Sequence, residues 1–331
     1  MESYGPDSNA HGETPALQSG MKSLNRREIL AAAAAAAFAP GSASATSHGM
    51  QLHLSCNAIG IKATQREAVG YAAEFGFDVV DADGRYLAAL SEADLHDLLG
   101  YMESRKVGWA MAGLPVDFRR GDAEFASTMK DFPAYCKALQ RAGVRRVTTW
   151  LTPASGQVTY VANFRTHARR LREIGSVLDG HGIRFGIEYV GPKTAWASQR
   201  YPFIHDMASM KELFAEMNQP NIGFVLDSWH WYTSGESKQD ILSLRGSDVV
   251  SVDLNDAPSG VPVEQQIDNK RELPAATGVI DVKDFLGGLQ AIGFTGPVRA
   301  EPFNAAVRAM TPKEALTATM ASLKKAFGEV S

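Results

Sequence analysis

Eight short apolar runs, each followed by a stretch with helical spacing, constrain the fold of this chain more than any other feature. The predicted strands are 51–55, 77–82, 107–113, 146–151, 183–188, 221–226, 248–253 and 297–301. The predicted helices are 63–75, 91–105, 122–142, 160–181, 206–218, 237–245, 281–292 and 311–327. Apolar residues in the helical stretches recur three and four positions apart, as in amphipathic helices. Eight strand–helix units predict a single (β/α)8 barrel.

A doubly wound open sheet is the alternative fold for alternating strands and helices. That fold places a glycine-rich, phosphate-binding turn after its first strand. Residues 56–60 read Cys-Asn-Ala-Ile-Gly and do not form such a turn, so the barrel is favoured. Helix-start signals agree with this pattern, with Ser91 and Asp94 opening one helix and Thr311 preceding Pro312 at the start of the last.

The N-terminus carries the features of an export signal. Residues 23–30 read Ser-Leu-Asn-Arg-Arg-Glu-Ile-Leu and resemble the bacterial twin-arginine motif. An alanine-rich apolar stretch follows as far as Pro40, and residues 43–45 read Ala-Ser-Ala, which is typical of a cleavage site. The apolar stretch is too short to span a bilayer, which takes about 20 residues. The alternative interpretation is a short alanine-rich helix of the folded domain.

These signals divide the chain into three parts. We predict a disordered upstream extension over 1–20, a twin-arginine signal peptide over 21–45 and the barrel over 50–331. The resemblance to twin-arginine cargo implies a protein exported in folded form to the periplasm, with no stable membrane association after cleavage. Cys56 and Cys136 fall on separate predicted elements, so no disulfide is expected.

Composition bounds the class of partner. The 331 residues carry a formal charge of −4, with a pI near 6.1 and 45% hydrophobic residues. Nucleic acids call for a concentrated basic face, which this balance does not favour. A small substrate of little or no charge is the expected partner, and the sequence leaves homo-oligomerisation open.

Four of the predicted strands, the fifth to the eighth, end at a carboxylate. These residues are Glu188, Asp227, Asp253 and Glu301. Strand ends share one rim of a barrel, so the four side chains should converge, and they would repel one another without a cation. An all-oxygen set suits a hard or borderline divalent ion, with Mn²⁺ or Mg²⁺ most natural. The alternative is that each carboxylate caps the helix that follows.

His230 lies three positions after Asp227, within Asp-Ser-Trp-His-Trp-Tyr. It could reach over the rim as a catalytic residue, or it could pack among the neighbouring aromatic side chains. One of these aromatics, for which we choose Trp231, is predicted to form a platform for a sugar face. The alternative is that the aromatics only pack over the barrel.

Three further residues are candidates for substrate binding. Asn57 follows the first predicted strand, and Lys193 lies in the long segment after the fifth, which is predicted to form a lid. Arg271 could bind a substrate oxygen or pair with a rim carboxylate.

Taken together, these motifs resemble the xylose-isomerase-like sugar (phosphate) isomerase/epimerase superfamily over essentially all of 50–331. The matching motifs are G-I-E at Glu188, D-x-x-H at Asp227 and His230, N-D-A at 255–257, R-E-L-P at 271–274, G-V-I-D at 278–281 and E-P-F at Glu301. One departure is residues 274–277, Pro-Ala-Ala-Thr, where many relatives carry P-G-E-G.

The resemblance implies a role for each rim residue. Glu188 and Glu301 would be both ligands and the acid/base pair that moves protons, and Asp227 would be a ligand. The family's histidine ligand position holds Asp253 here, which favours a hard cation over zinc. Whether Asp253 or His230 is the fourth ligand stays open. One divalent cation is expected, Mn²⁺ before Mg²⁺, Co²⁺ or Zn²⁺.

The predicted function is a divalent-metal-dependent sugar isomerase or epimerase that acts on a free sugar or keto-sugar. A carbon-bound proton would move through a metal-bound enediolate. The loops after the last two strands, 255–260 and 302–305, are no convincing phosphate cradle. The alternative is an exported lyase or hydratase that acts on a 3-keto-glycoside at the same site.

Two further classes are less favoured. An endonuclease would require a histidine-rich zinc cluster and a basic groove, and the chain has eight histidines and an acidic pI. A non-catalytic sugar-binding protein would bind its ligand without exchanging carbon-bound hydrogen.

Overall fold

The computed structural model describes residues 49–330, so the predicted upstream extension and signal peptide lie outside the described residues. Eight parallel strands close into a barrel in which each strand pairs with its chain neighbours and the last pairs with the first. The strands are β1 (Gln51–Leu54), β2 (Val79–Ala82), β3 (Gly108–Gly113), β4 (Arg146–Trp150), β5 (Arg184–Glu188), β6 (Ile222–Asp227), β7 (Val249–Leu254) and β8 (Pro297–Ala300). The predicted (β/α)8 barrel is confirmed.

Helices surround the barrel and fill the connections between its strands. They are α1 (Gln65–Phe75), α2 (Gly84–Ala89), α3 (Glu92–Arg105), α4 (Asp122–Met129), α5 (Phe132–Arg141), α6 (Tyr160–Asp179), α7 (Lys193–Trp196), α8 (Met207–Met217), α9 (Ser228–Thr233), α10 (Lys238–Leu242), α11 (Val282–Ala291), α12 (Ala305–Arg308) and α13 (Pro312–Gly328). The single helix predicted over 122–142 is two helices, α4 and α5. Pro133 lies in the first turn of α5, where the missing N–H removes no helical hydrogen bond.

The predicted helix starts are confirmed. The Ser91 side chain accepts the Asp94 N–H, and Thr311 forms a capping box with Glu314 ahead of Pro312. Such caps satisfy N–H groups that have no partner inside the helix.

One apolar core fills the barrel and the layer between strands and helices. Val147 and Phe185 on the strands, and Leu171 and Leu213 on the helices, are completely buried. Burial of each such side chain contributes roughly 1.5–3 kcal/mol. Cys56 and Cys136 are both free thiols, as predicted. Within residues 49–330, no helix combines the length and apolar character needed to cross a membrane.

The register of the strands determines which side chains meet at the carboxyl ends. Asp227 is the partner of Asp253 across β6 and β7, and Asp253 is the partner of Arg299 across β7 and β8. Trp150 on β4 is the partner of Glu188 on β5. Side chains alternate between the two faces along a strand, so aligned partners in neighbouring strands share a face. The register therefore places three charged side chains in one row near the mouth of the barrel.

The segment after β5, which the sequence predicts as a lid, is tied to the barrel. It contains α7 and a two-residue strand, Tyr201–Pro202, that pairs antiparallel with Ala154–Ser155. This small sheet fastens the segment to the loop after β4.

Candidate active site

The four carboxylates predicted from the strand ends converge at the mouth of the barrel. One oxygen from each of Glu188, Asp227, Asp253 and Glu301 lies within 4.8 Å of all the others. The side chains of Asp227 and Asp253 are fully buried, whereas those of Glu188 and Glu301 are 12% and 15% exposed. The two glutamates are therefore the carboxylates that a molecule in the mouth can reach.

Asp227 also caps the helix that follows it. Its Oδ1 atom accepts the N–H of Trp229 at 2.8 Å and the amide of Asn255 at 2.9 Å. Asp227 therefore caps the following helix and also belongs to the carboxylate cluster, so the two interpretations of this residue are compatible. These bonds fix the orientation of the carboxylate and leave Oδ2 turned toward the other charged groups.

Two arginines lie inside the acidic cluster. Arg271, in the loop between β7 and α11, donates from Nη1 to Asp227 at 2.7 Å and to Glu301 at 3.3 Å. Arg299 on β8 donates from Nε and Nη2 to the two oxygens of Asp253 at 2.7 and 2.8 Å, and from Nη2 to Glu301 at 2.9 Å. Two guanidinium groups against four carboxylates leave the cluster with an excess of negative charge.

This excess charge and burial raise carboxyl pKa values in the cluster. Burial, with repulsion from Asp253 and Asp227, raises the pKa of Glu188 well above its usual value. Burial raises the pKa of Asp227 to about 7 although Arg271 opposes the shift. Burial also raises the pKa of Glu301. Carboxyl groups with raised pKa values in a cleft are candidates for proton transfer.

The donor set fits a divalent cation. Glu188 Oε1 is buried and has no hydrogen-bond partner among residues 49–330, so it is an acceptor that the protein leaves unsatisfied. Carboxylate oxygens are the ligands that hard divalent ions prefer. A cation at this point would satisfy that oxygen and offset the excess negative charge.

His230 points into the same cluster from α9. The Gly191 N–H donates to its Nδ1 atom at 3.1 Å, and Arg271 Nη2 lies 3.3 Å from its Nε2 atom. Nε2 is 3.7 Å from Glu188 Oε1. Burial, with the nearby Arg271 charge, lowers the pKa of His230 to about 3, which keeps the ring neutral. A neutral imidazole therefore lies between Glu188 and Arg271.

The position of His230 requires glycine at residue 191. A Cβ atom on Gly191 would lie 2.5 Å from the carbonyl oxygen of His230. Only glycine lets the chain after β5 approach α9 closely enough for the Gly191 N–H to reach the imidazole.

The charged cluster opens into two adjoining cavities. The larger, about 410 Å³, contains both rim glutamates and His230. The smaller, about 260 Å³, extends toward β1 and β2 and is lined by Ser55 and Asp81 among others. Arg299 and Glu301 line both cavities. A ligand can therefore contact the charged cluster from either side of these two residues.

The aromatic side chains of Trp150 and Phe303 line the larger cavity, and the predicted Trp231 does not. Trp231 is 6% exposed, packs on Phe285 of α11 with ring centroids 5.5 Å apart, and donates its indole N–H to a backbone carbonyl. Trp150 is 48% exposed, lines the larger cavity and stacks on the Arg119 guanidinium at 4.4 Å. The structure thus supplies an aromatic platform from β4.

The remaining predicted residues lie in different places. Asn57 is exposed and lines the smaller cavity. Lys193 is exposed at the start of α7, and Ala195 of the same helix lines the larger cavity. Arg271 pairs with rim carboxylates, which is one of the two roles considered for it, and it also lines the larger cavity.

Sequence reasoning missed Arg299. Its position two residues before Glu301 places both side chains on the same face of an extended strand, so strand periodicity could have found it. Asp268, which accepts from Arg271 Nη2 at 2.8 Å, lies in a loop without periodic pattern and had no such signal.

An eight-stranded barrel with a cluster of four carboxylates at the carboxyl ends of its strands places this chain in the TIM-barrel class, whose active sites lie at that end of the barrel. Within that class, the chain belongs to the xylose isomerase-like TIM barrel family, whose model matches residues 69–326. The resemblance recognised from the motifs is therefore confirmed.

Three known proteins illustrate the relationship. The chain is 30% identical to a xylose isomerase domain protein from Alicyclobacillus acidocaldarius, with a TM-score of 0.75 over 85% of this chain and 99% of that structure. It is 23% identical to inosose isomerase from Bacillus subtilis over 60% of this chain and 66% of the relative, just under two thirds. It is 29% identical to 3-dehydroshikimate dehydratase from Pseudomonas aeruginosa over 42% of this chain and 21% of the relative.

Proposed function

We propose that the protein is a divalent-cation-dependent sugar isomerase or epimerase that moves a carbon-bound proton of a free sugar or keto-sugar. The observation that carries this proposal is the convergence of two partly exposed glutamates, Glu188 and Glu301, on one cavity beside the buried Asp227. An enzyme of this kind needs a proton acceptor and a proton donor on one substrate, and the two glutamates supply both.

The ligands that we assign to the cation are Glu188, Asp227 and Glu301, with Mn²⁺ as the preferred ion because all three donors are carboxylate oxygens. When bound, such an ion polarises a carbonyl and the hydroxyl beside it, which makes the adjacent carbon-bound proton more acidic.

The side chains of the protein complete the chemistry. Glu188 would bind the cation through its unbonded oxygen and take up a proton on the other, while Glu301 is held in place by Arg271 and Arg299. With its proton on Nε2, the neutral ring of His230 would donate to a substrate oxygen and so stabilise negative charge that develops there. Trp150 offers its exposed ring to the apolar face of a sugar.

The loop after β7 supports a substrate without a phosphate group. Backbone N–H groups of the kind that bind phosphate are present at Thr277, Gly278 and Ile280, but all three donate to the carboxylate of Asp256 at 2.8 to 3.0 Å. A side-chain anion thus occupies the acceptor position of this loop.

Two observations favour a lyase or dehydratase as the second candidate function. Two curated relatives are 3-dehydroshikimate dehydratases. The smaller cavity also gives a leaving group space next to Glu301 and Arg299. The same proton abstraction, followed by loss of a group from the next carbon, would give an unsaturated product from a 3-keto-glycoside. We also propose, from the twin-arginine signal, that the enzyme acts in the periplasm.

Cation binding should depend on pH because the ion competes with protons for Glu188 and Asp227. At about 100 times its Kd, we expect Mn²⁺ to raise the free energy of unfolding by about 2–3 kcal/mol at pH 8, and by much less at pH 5. In the metal-free protein, protonated Asp227 stabilises the folded state. This contribution is complete at pH values below the pKa of Asp227 in the unfolded chain, and it is lost as pH rises through the pKa in the folded protein, about 7.

Urea unfolding of chelator-treated protein, with and without Mn²⁺, measures this difference at both pH values. An increase of the same size at pH 5 and pH 8 would show that the ion binds outside the carboxylate cluster.

Proton exchange tests the proposed reaction. We expect the protein with Mn²⁺ to exchange a carbon-bound proton of a ketose or a 3-keto-glycoside for solvent deuterium, and a chelator to stop the exchange. Proton NMR of D-fructose, D-tagatose, D-xylulose and a methyl 3-keto-glucoside in heavy water measures it. Exchange with the methoxy group retained supports the isomerase or epimerase, and release of methanol supports the lyase. Sugar binding without exchange of any carbon-bound proton counts against both enzymes.

A further inference from the structure

The ion pair between Asp253 and Arg299 separates one carboxylate of the cluster from the other three. The two residues are register partners on β7 and β8, and Arg299 bonds both oxygens of Asp253 at 2.7 and 2.8 Å. Asp253 is fully buried, and the side chain of Arg299 is 16% exposed. A bidentate pair of this kind is strong and geometrically specific. Although Arg299 also donates to Glu301, its bidentate bond occupies both oxygens of Asp253, which therefore offer an approaching cation little attraction.

Glu188 has the opposite environment. Its Oε1 atom has no hydrogen-bond partner in the part of the chain that the structure describes. Asp227 gives one oxygen to Arg271 at 2.7 Å. Glu301 accepts from Arg271 on one oxygen at 3.3 Å and from Arg299 on the other at 2.9 Å, so neither carboxylate is bonded through both oxygens to a single guanidinium as Asp253 is. Arg271 lies on a loop and divides its charge further with Asp268. These three carboxylates therefore retain more attraction for a cation than Asp253 does.

His230 does not replace Asp253 as a fourth ligand in this arrangement, because both of its ring nitrogens already face donors. Its Nδ1 atom accepts the Gly191 N–H at 3.1 Å, and its Nε2 atom, which faces Glu188, lies 3.3 Å from Arg271 Nη2. A ring nitrogen that carries a proton or accepts from an arginine has no free lone pair to give to a metal.

We propose that Asp253 is the anchor of Arg299 and not a ligand of the cation, so that Glu188, Asp227 and Glu301 alone hold the ion. This inference rests on the proposed function, because it concerns the cation assigned there. Arg299 is then a positioning residue that fixes one oxygen of Glu301 and neutralises Asp253. Three protein ligands leave coordination positions open for substrate oxygens, as catalytic metal sites require.

The test is a Mn²⁺ titration of the full chain, followed by the EPR signal of free Mn²⁺. The decisive variant is D253N/R299Q, which removes both charges of the pair and keeps the net charge of the site. We expect its Kd to stay within about threefold of the wild-type value, because the net charge is unchanged and Arg271 still holds the other oxygen of Glu301 when the Arg299 contact is lost. We expect E188Q, which removes a ligand, to weaken binding at least about tenfold.

The single variant R299Q gives a result that a purely structural role would not produce. It leaves Asp253 charged and unpaired, so we expect Mn²⁺ to bind about tenfold more tightly. Thermal melting by circular dichroism checks that each variant is folded. If D253N/R299Q does not fold, D253L/R299M replaces the pair with apolar side chains and takes its place.

The outcomes separate the two proposals. If wild type binds Mn²⁺ and the double variant loses affinity as E188Q does, Asp253 is a ligand and the inference is overturned. If R299Q binds no more tightly than wild type, the inference is overturned as well. If the wild type binds no Mn²⁺, the proposed cation dependence of the enzyme is wrong, and the role inferred for Asp253 is wrong with it.

Discussion

Replacing Glu188 with glutamine should lower the rate of proton exchange by about 10²- to 10⁴-fold, the usual contribution of a positioned acid or base. The amide cannot take up the proton and also removes one of the carboxylates assigned to the cation. Glutamine has nearly the same size, so the shape of the cavity should not change. Deuterium incorporation into the best ketose of the panel, followed by NMR in the presence of Mn²⁺, measures the effect.

The folded state should tolerate this substitution. Burial and repulsion from the neighbouring carboxylates raise the pKa of Glu188 in the folded protein. At pH values above the pKa of the unfolded chain, ionisation of Glu188 therefore lowers the stability of the folded state. We therefore expect metal-free E188Q to be at least as stable as wild type at pH 8. The matched control is Glu236→Gln, because Glu236 is also partly buried but bonds Tyr189 and the Met207 N–H and is not one of the four rim carboxylates. Equal losses of proton exchange in both variants would show that Glu188 has no specific role in the reaction.

Replacing Arg271 with methionine should destabilise the protein by about 3–5 kcal/mol, the cost of removing one partner of a buried ion pair. Arg271 is 2% exposed and contacts Asp227 at 2.7 Å, Asp268 at 2.8 Å and Glu301 at 3.3 Å. Without the guanidinium, these carboxylates would repel one another without compensation. Urea unfolding of metal-free protein at pH 8 measures the loss.

The control for this prediction is Arg245→Met. Arg245 forms a pair with Asp248 at 2.8 Å, but its side chain is 82% exposed. Exposed pairs contribute at most about 1 kcal/mol. A loss at Arg271 no larger than at Arg245 would show that the buried cluster does not depend on the guanidinium.

The composition of the acidic rim followed from the sequence because strand periodicity and strand ends are local features. Glu188 and Asp227 each end an apolar run, and parallel strands of a barrel bring their carboxyl ends to one rim whatever the helices outside look like. The same reasoning would have found Arg299 from its spacing to Glu301. The sequence could not show that Arg299 bonds Asp253, because that contact depends on the register between two strands.

The choice of aromatic residue illustrates the same limit. In α9, successive residues turn by about 100° around the helix axis, so only one of His230 and Trp231 can face the mouth. Because Trp231 packs against α11, it is His230 that faces the carboxylates. Trp150 reaches the mouth instead because the register of β4 places it beside Glu188. None of these choices is visible in local sequence.

By itself, the sequence determined the barrel, its helix starts and the four carboxylates at one rim, because apolar periodicity and capping residues act over a few positions. The tertiary structure alone decided how those charges are compensated: Arg299 binds Asp253, Arg271 is shared among three carboxylates, and Glu188 keeps an unbonded oxygen. The reason is physical. Charge compensation in a buried cluster depends on distances of a few ångströms between residues that lie far apart in the chain.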